Sequence, residues 1–178
     1  MIKEEIIMAG FGGQGVMLMG KLLAYSGMKE GKEVSWIPSY GPEMRGGTAN
    51  CTVIVSDEKV AAPVVDNPTT AIVMNRPSLM KFGPKVKAGG YLFINSSLIE
   101  ESFERDDINI IEIPANKIAD QLENTKIANL VMLGAFLEEM DLVDYTIVNE
   151  SISDILPEHR QNLVTINQKA LAKGKDLI

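Results

Sequence analysis

The sequence predicts a Rossmann-like, three-layer α/β/α fold on a mixed, mostly parallel sheet. Three observations carry this expectation. Short β-branched runs alternate with segments of helical apolar spacing over the first two-thirds of the chain, the pattern of βαβ units. The 178 residues suit one hydrophobic core, and 46% hydrophobic against 23% charged residues is ordinary globular composition. No repeat, low-complexity tract or composition break divides the chain, so residues 1–178 read as a single domain.

Each element has its own local signal. Glu4–Ala9 reads as a buried strand ended by Gly10, and Val16–Lys29 carries apolar residues at helical spacing. Glu33–Ile37 is a second strand, followed by a proline- and glycine-rich stretch, 38–47, that must be irregular. Thr48–Val55 is β-rich, and the polar Ser56-Asp57-Glu58-Lys59 reads as a hairpin-like turn, predicting at least one antiparallel strand. Thr70–Met74 is strand-like, and Pro77 suits the first residue of a helix over Ser78–Val86. Tyr91–Asn95 and Asn109–Ile113 complete the strands. The remainder predicts helices near Ala115–Glu123, Ile127–Met140, Thr146–Leu156 and Arg160–Lys173.

Charge and cysteine content exclude whole classes of function. With 24 acidic and 17 basic side chains the net charge is −7, which argues against a nucleic-acid or anionic-membrane partner. Apolar stretches such as Leu130–Leu137 fall well short of the roughly 20 residues of a membrane span. The run Met1–Glu5 lacks the layout of a signal peptide, so a cytoplasmic location is expected. Cys51 is the sole cysteine and His159 the sole histidine, so a four-cysteine cluster, a thiolate zinc site and a histidine-rich metal centre are all ruled out. Cys51, within a strand, reads as a buried structural thiol, and His159 as a solvated or capping residue. The ten methionines, Met17, Met19, Met132 and Met140 among them, read as fillers of core and interface gaps.

Two loops carry the chemical signal. Gly10-Phe11-Gly12-Gly13-Gln14-Gly15 fits G-x-G-x-x-G after a strand and before a helix, where backbone N–H groups can face a phosphate. The acidic residue that normally holds the ribose at the end of the second strand is missing, because that strand ends in Ile37-Pro38-Ser39-Tyr40. Two readings stay open for the turn: an anion cradle, or a tight bend whose glycines let another surface pack close. Gly15–Lys21 imitates the start of a P-loop, but Leu22 stands where a magnesium-binding hydroxyl is needed, and that reading is rejected. The second loop, Pro38–Thr48, sets Tyr40, Glu43 and Arg45 among prolines and glycines. Arg45 can clamp a carboxylate or phosphate, or can pair with Glu43 to stitch the loop down. Asn129, among apolar helical neighbours, either satisfies a buried backbone group or presents its amide at a site.

The first loop, together with Tyr40-Gly41-Pro42-Glu43-Met44-Arg45-Gly46-Gly47-Thr48-Ala49, resembles the gamma subunit of the 2-oxoacid:ferredoxin oxidoreductases, and Asn129–Ala135 resembles a helix of that family. The likeness covers nearly the whole chain, and the wording of Trp36–Ile54 looks closest to the 2-oxoglutarate branch. It implies a complex that oxidatively decarboxylates a 2-oxoacid with coenzyme A, yielding acyl-CoA, CO2 and reduced ferredoxin. Thiamine diphosphate, Mg2+ and [4Fe–4S] clusters would belong to partners of alpha, beta and delta type, with none held by this chain alone. By carry-over, Gly10, Gly12, Gly13, Gln14, Gly15, Tyr40, Glu43, Arg45, Gly46, Gly47, Thr48 and Asn129 would shape the cofactor neighbourhood and the subunit interface. No residue is assigned a catalytic role. The rival readings are a stand-alone dinucleotide- or acyl-CoA-binding enzyme using Gly10–Gly15, and a purely structural interaction domain. Arg45→Ala and Gly13→Val are expected to leave the chain folded while impairing the complex.

Overall fold

The computed structural model describes residues 2–39 and 49–178. Six strands form one sheet: β1 (Lys3–Gly10), β2 (Glu33–Ser39), β3 (Ala49–Ser56), β4 (Thr70–Val73), β5 (Tyr91–Asn95) and β6 (Asn109–Ile113), in the spatial order β2-β3-β1-β4-β5-β6. The pairs β1/β4, β4/β5 and β5/β6 are parallel, whereas β3 runs antiparallel to both neighbours. The helices are α1 (Val16–Lys29), α2 (Arg76–Phe82), α3 (Ala115–Gln121), α4 (Ala128–Met140), α5 (Tyr145–Ile155) and α6 (Val164–Lys175).

The antiparallel strand was expected, but its cause differs. The turn after Ser56 joins no paired strands; β3 instead lies between β1 and β2, with Ile6 opposite Val53 and Trp36 opposite the same valine. Pleating then sends alternate residues to opposite faces. Ile6, Met8, Val53, Ile72 and Phe93 face α1, α3, α4, α5 and α6, while Ile7, Ala9, Ala71, Val73 and Leu92 face α2. Among the described residues the three layers are therefore uneven, with five helices on one side and one on the other.

Helix α4 shows why so many helices gather on one face. Every residue from Ala128 to Leu137 is buried, so this helix is apolar all round and needs cover on every side. It lies against β5, α1 and α3, and α6 closes over it. That closure brings backbones together. A Cβ on Gly134 would stand 2.0 Å from the Leu171 carbonyl oxygen, and one on Gly174 would stand 1.9 Å from that of Val131. Only hydrogen fits at either place.

Capping sets several boundaries. Helix α2 starts at Arg76 because the Asn75 side chain accepts a hydrogen bond from Ser78 N–H, placing Pro77 one residue inside the start expected for it. It then stops at Phe82, with a short 3-10 turn over Gly83–Lys85 completing the expected segment. Asp144 caps α5 through Thr146 N and Ile147 N. The segment expected to begin a helix at Arg160 is a 3-10 turn, Glu158–Leu163, before α6 proper. No helix among the described residues is long and apolar enough to cross a membrane.

Candidate functional site

The chain path itself creates a crevice. Helix α1 leaves β1 for one face of the sheet and α2 leaves β4 for the other, although β1 and β4 are parallel neighbours. In open α/β sheets, such divergence at the carboxyl ends of adjacent strands is where ligands bind. The Gly10–Gly15 turn occupies this position.

Each glycine of the turn has a separate reason. Gly10 is packed from within, since a Cβ there would lie 2.7 Å from Gln14 Oε1 and 2.9 Å from Met74 Cβ. Gly13 has φ of +92° in a turn closed by Gln14 N–H to the Phe11 carbonyl at 3.2 Å. Gly15 has φ of +76° and caps α1 with no side-chain acceptor, leaving the first N–H groups of the helix without a cap. Asn129 Nδ2 donates to the Gly15 carbonyl at 3.1 Å, the first of the two roles open to it. Asn129 Oδ1 is buried without a partner among the described residues, and an orphaned buried acceptor costs about 1–3 kcal/mol. Gly12 stands apart: its φ is not positive, and a Cβ would meet nothing within 4 Å. Nothing among the described residues requires glycine there.

Gln14 is folded under the turn. Its Oε1 accepts from Phe11 N–H at 2.6 Å and from Asn75 Nδ2 at 3.3 Å, while Nε2 donates to the Met74 carbonyl at 3.3 Å. The turn is thus tied to the end of β4, and the exposed Phe11 ring is held at its tip.

A groove of about 500 Å3 opens beside the turn, lined by Phe11, Gly12, Gly13, Lys126, Asn129 and Arg160. A second depression of about 570 Å3 continues from it past Leu18, Lys126 and Arg160 toward Asn167, with the carboxylate of Glu123 also on its wall. Neither Lys126 nor Arg160 forms an ion pair among the described residues. Two cations therefore line, with the uncapped start of α1, the same groove in a chain of net charge −7. The arrangement suits an elongated anion.

Tyr40, Glu43, Arg45, Gly46, Gly47 and Thr48 lie outside the described residues. The two ends of their loop do not. Ala49 is paired with Gly10 across β1/β3 and lines the same groove, and Ser39 is paired with Asn50. The fold therefore anchors the second sequence motif beside the first.

Strand order also weighs against a dinucleotide site. Because β3 separates β1 from β2, the end of β2 stands two strand spacings away from β1, roughly 10 Å. A ribose-binding acid has no place there, and Ser39 occupies the end. Cys51 is fully buried, and burial pushes its thiol up to about 12, so it stays protonated. His159 is exposed in the 3-10 turn before α6. Among the described residues no group of three His, Cys, Asp or Glu side chains could hold a metal ion.

The model of the pyruvate ferredoxin/flavodoxin oxidoreductase family matches residues 5–177. The chain belongs to that family. Among curated members, it is 37% identical to the ketoisovalerate oxidoreductase subunit VorA of Methanothermobacter marburgensis, over 97% of this chain and 36% of that protein. It is 32% identical to the 2-oxoglutarate synthase subunit KorC of the same organism, over 99% of this chain and 97% of that one. The chain thus spans about a third of the length of VorA and nearly all of KorC.

Solved members of the family share the fold. The gamma subunit of a keto/oxoacid ferredoxin oxidoreductase from Geobacter sulfurreducens superposes with a TM-score of 0.83 at 26% identity, covering 97% of this chain and 96% of that one. The 2-oxoglutarate:ferredoxin oxidoreductase of Magnetococcus marinus, solved with 2-oxoglutarate, coenzyme A and succinyl-CoA bound, gives 0.89 at 25% identity, covering 98% of this chain and 31% of that one. The gamma-type resemblance seen in the two loops is the relationship these comparisons establish.

Sequence reasoning found the turn but missed Lys126 and Arg160. Lys126 lies in a 3-10 turn before α4 and Arg160 in another before α6, more than 100 residues from Gly12. No spacing or motif links such positions, and only the packing of α4 and α6 brings them to the turn.

Proposed function

We propose that the chain is the gamma-type subunit of a 2-oxoacid:ferredoxin oxidoreductase, working in the cytoplasm as one domain of 178 residues. It would combine with alpha-, beta- and delta-type partners to convert a 2-oxoacid and coenzyme A into acyl-CoA and CO2, with ferredoxin taking the electrons. The observation that carries the reading is Gly12: an open glycine at a crevice, with nothing among the described residues to exclude a side chain, suits a backbone that a ligand or partner approaches closely.

The groove fits the phosphate-bearing part of coenzyme A. Lys126 and Arg160 supply positive charge, the start of α1 supplies N–H donors, and Phe11 supplies an exposed ring. Coenzyme A, when bound, supplies the thiol that carries the acyl group away. The relative solved with coenzyme A bound supports this assignment. Thiamine diphosphate, Mg2+ and [4Fe–4S] clusters belong, in this reading, to the partners, since a single protonated, buried cysteine suits no cluster. The 2-oxoacid is 2-oxoglutarate by the wording of the second loop and by the full-length likeness to KorC. The likeness to VorA favours a branched-chain oxoacid as the second choice.

Purification of the chain from its native source tests the proposal. Thiamine-binding and ferredoxin-like partners should accompany it, and the complex should reduce a viologen dye with one 2-oxoacid preferred. Recovery of the chain alone, or with unrelated proteins, would overturn the assignment.

A further inference from the structure

We propose that Gln14 is the positioning residue of the Gly10–Gly15 turn, acting on the ligand only through Phe11. The inference rests on the reading of the groove as the coenzyme A approach, and concerns how that site is set. A glutamine in a glycine-rich turn beside a crevice looks like a ligand contact. The structure assigns it otherwise, because both ends of its amide are engaged inside the chain. Oε1 takes two donors, Phe11 N–H at 2.6 Å and Asn75 Nδ2 at 3.3 Å, and Nε2 gives a hydrogen to the Met74 carbonyl at 3.3 Å.

These partners form a rigid base. Asn75 is buried and caps α2 through Ser78 N–H, so its amide is held by a helix start. The Met74 carbonyl is also approached by Nδ2 of the fully buried Asn95, which in turn donates to Asn116 at 2.8 Å. The turn is therefore referenced to the ends of β4 and β5 and to the start of α3. Gly10 completes the device, since any side chain there would displace the Gln14 amide. At the far end of the same turn the Phe11 ring, 43% exposed, stands at the groove. Its backbone N–H is the shortest of the Gln14 contacts, so the amide fixes where that ring stands.

Kinetics of the assembled complex test this with Phe11→Ala, Gln14→Leu and their double variant, with Gly12→Ala as reference. If Gln14 acts through Phe11, each single change raises KM for coenzyme A about tenfold, with kcat altered less than about twofold. The double variant then raises KM no further than the larger single effect, because the two residues form one unit. Gln14→Glu keeps the acceptor for Phe11 N–H but sets an oxygen against the Met74 carbonyl, so its KM should fall between those of the parent and Gln14→Leu. Multiplying effects in the double variant, or a silent Gln14→Leu beside an impaired Phe11→Ala, would overturn the positioning role alone. If Gly12→Ala and Phe11→Ala are both silent, the coenzyme A reading of the groove falls, and the positioning role with it.

Discussion

Gly12 and Gly13 are adjacent in sequence and opposite in meaning. Gly13 needs its positive φ, so any L side chain there is strained by about 1–2 kcal/mol, and a β-branched one by more. Valine at 13 is thus a poor probe of function, contrary to the expectation drawn from the motif. Gly12→Ala is the clean one. In urea unfolding it should leave the stability of the chain within about 0.5 kcal/mol of the parent, whereas Gly13→Ala should cost about 1–2 kcal/mol. In the complex the order should reverse relative to stability, with Gly12→Ala impairing turnover despite its normal fold. This distinction was invisible in the sequence, where G-x-G-x-x-G treats its glycines alike. The turn itself was legible, because a glycine run between a buried strand and an apolar helix has few other uses. Lys126 and Arg160 were not, since their meeting depends on helices more than 100 residues along the chain.

At the scale of elements, strands and helices were read from period and punctuation, and most boundaries fall within two residues of expectation. Pairing was the harder matter. Alternation in Thr48–Val55 marks a strand but does not name its neighbours, and the inserted β3 was attributed to a turn that pairs nothing. That insertion is also what removes the ribose-binding position and separates this fold from dinucleotide enzymes that share its glycine turn. The α4/α6 contact is a second feature no single-helix pattern reveals. Gly134 and Gly174 each face a carbonyl of the opposite helix at a distance no carbon can occupy. Gly134→Ala or Gly174→Ala must push α6 off α4, and each should destabilise the chain by about 3 kcal/mol or more in thermal or urea unfolding. Because α4 carries Asn129 and is preceded by Lys126, loosening α6 should also disturb the groove.

For the whole molecule, charge tells two stories. The net charge is −7, yet Lys126 and Arg160 line the groove and make a local patch that suits an anionic ligand. The acid limb of stability follows from carboxylates held by cations and N–H groups. The Glu5 carboxyl is held below its ordinary value by Lys3 first and by Lys87, Asp57 by Ile2 N–H and Lys32, and Asp107 by Arg105. For a carboxylate whose folded value is lowered, the stabilisation is complete above the unfolded value, about 4, and disappears as pH falls through the folded one. The melting temperature should therefore be flat from pH 7 to about 5 and drop below about 4.5. Glu5, the least exposed of the three, is the best test: Glu5→Gln should lower the plateau and flatten that drop.

In the proposed reading the chain is a partner in catalysis rather than an enzyme complete in itself. The direct test is the rate of viologen reduction by the purified chain, and by its native complex, with 2-oxoglutarate, pyruvate or 2-ketoisovalerate and coenzyme A. The account predicts no turnover by the chain alone and coenzyme A-dependent turnover by the complex. Turnover by the isolated chain, or a complex that keeps its full rate after this chain is removed, would contradict it.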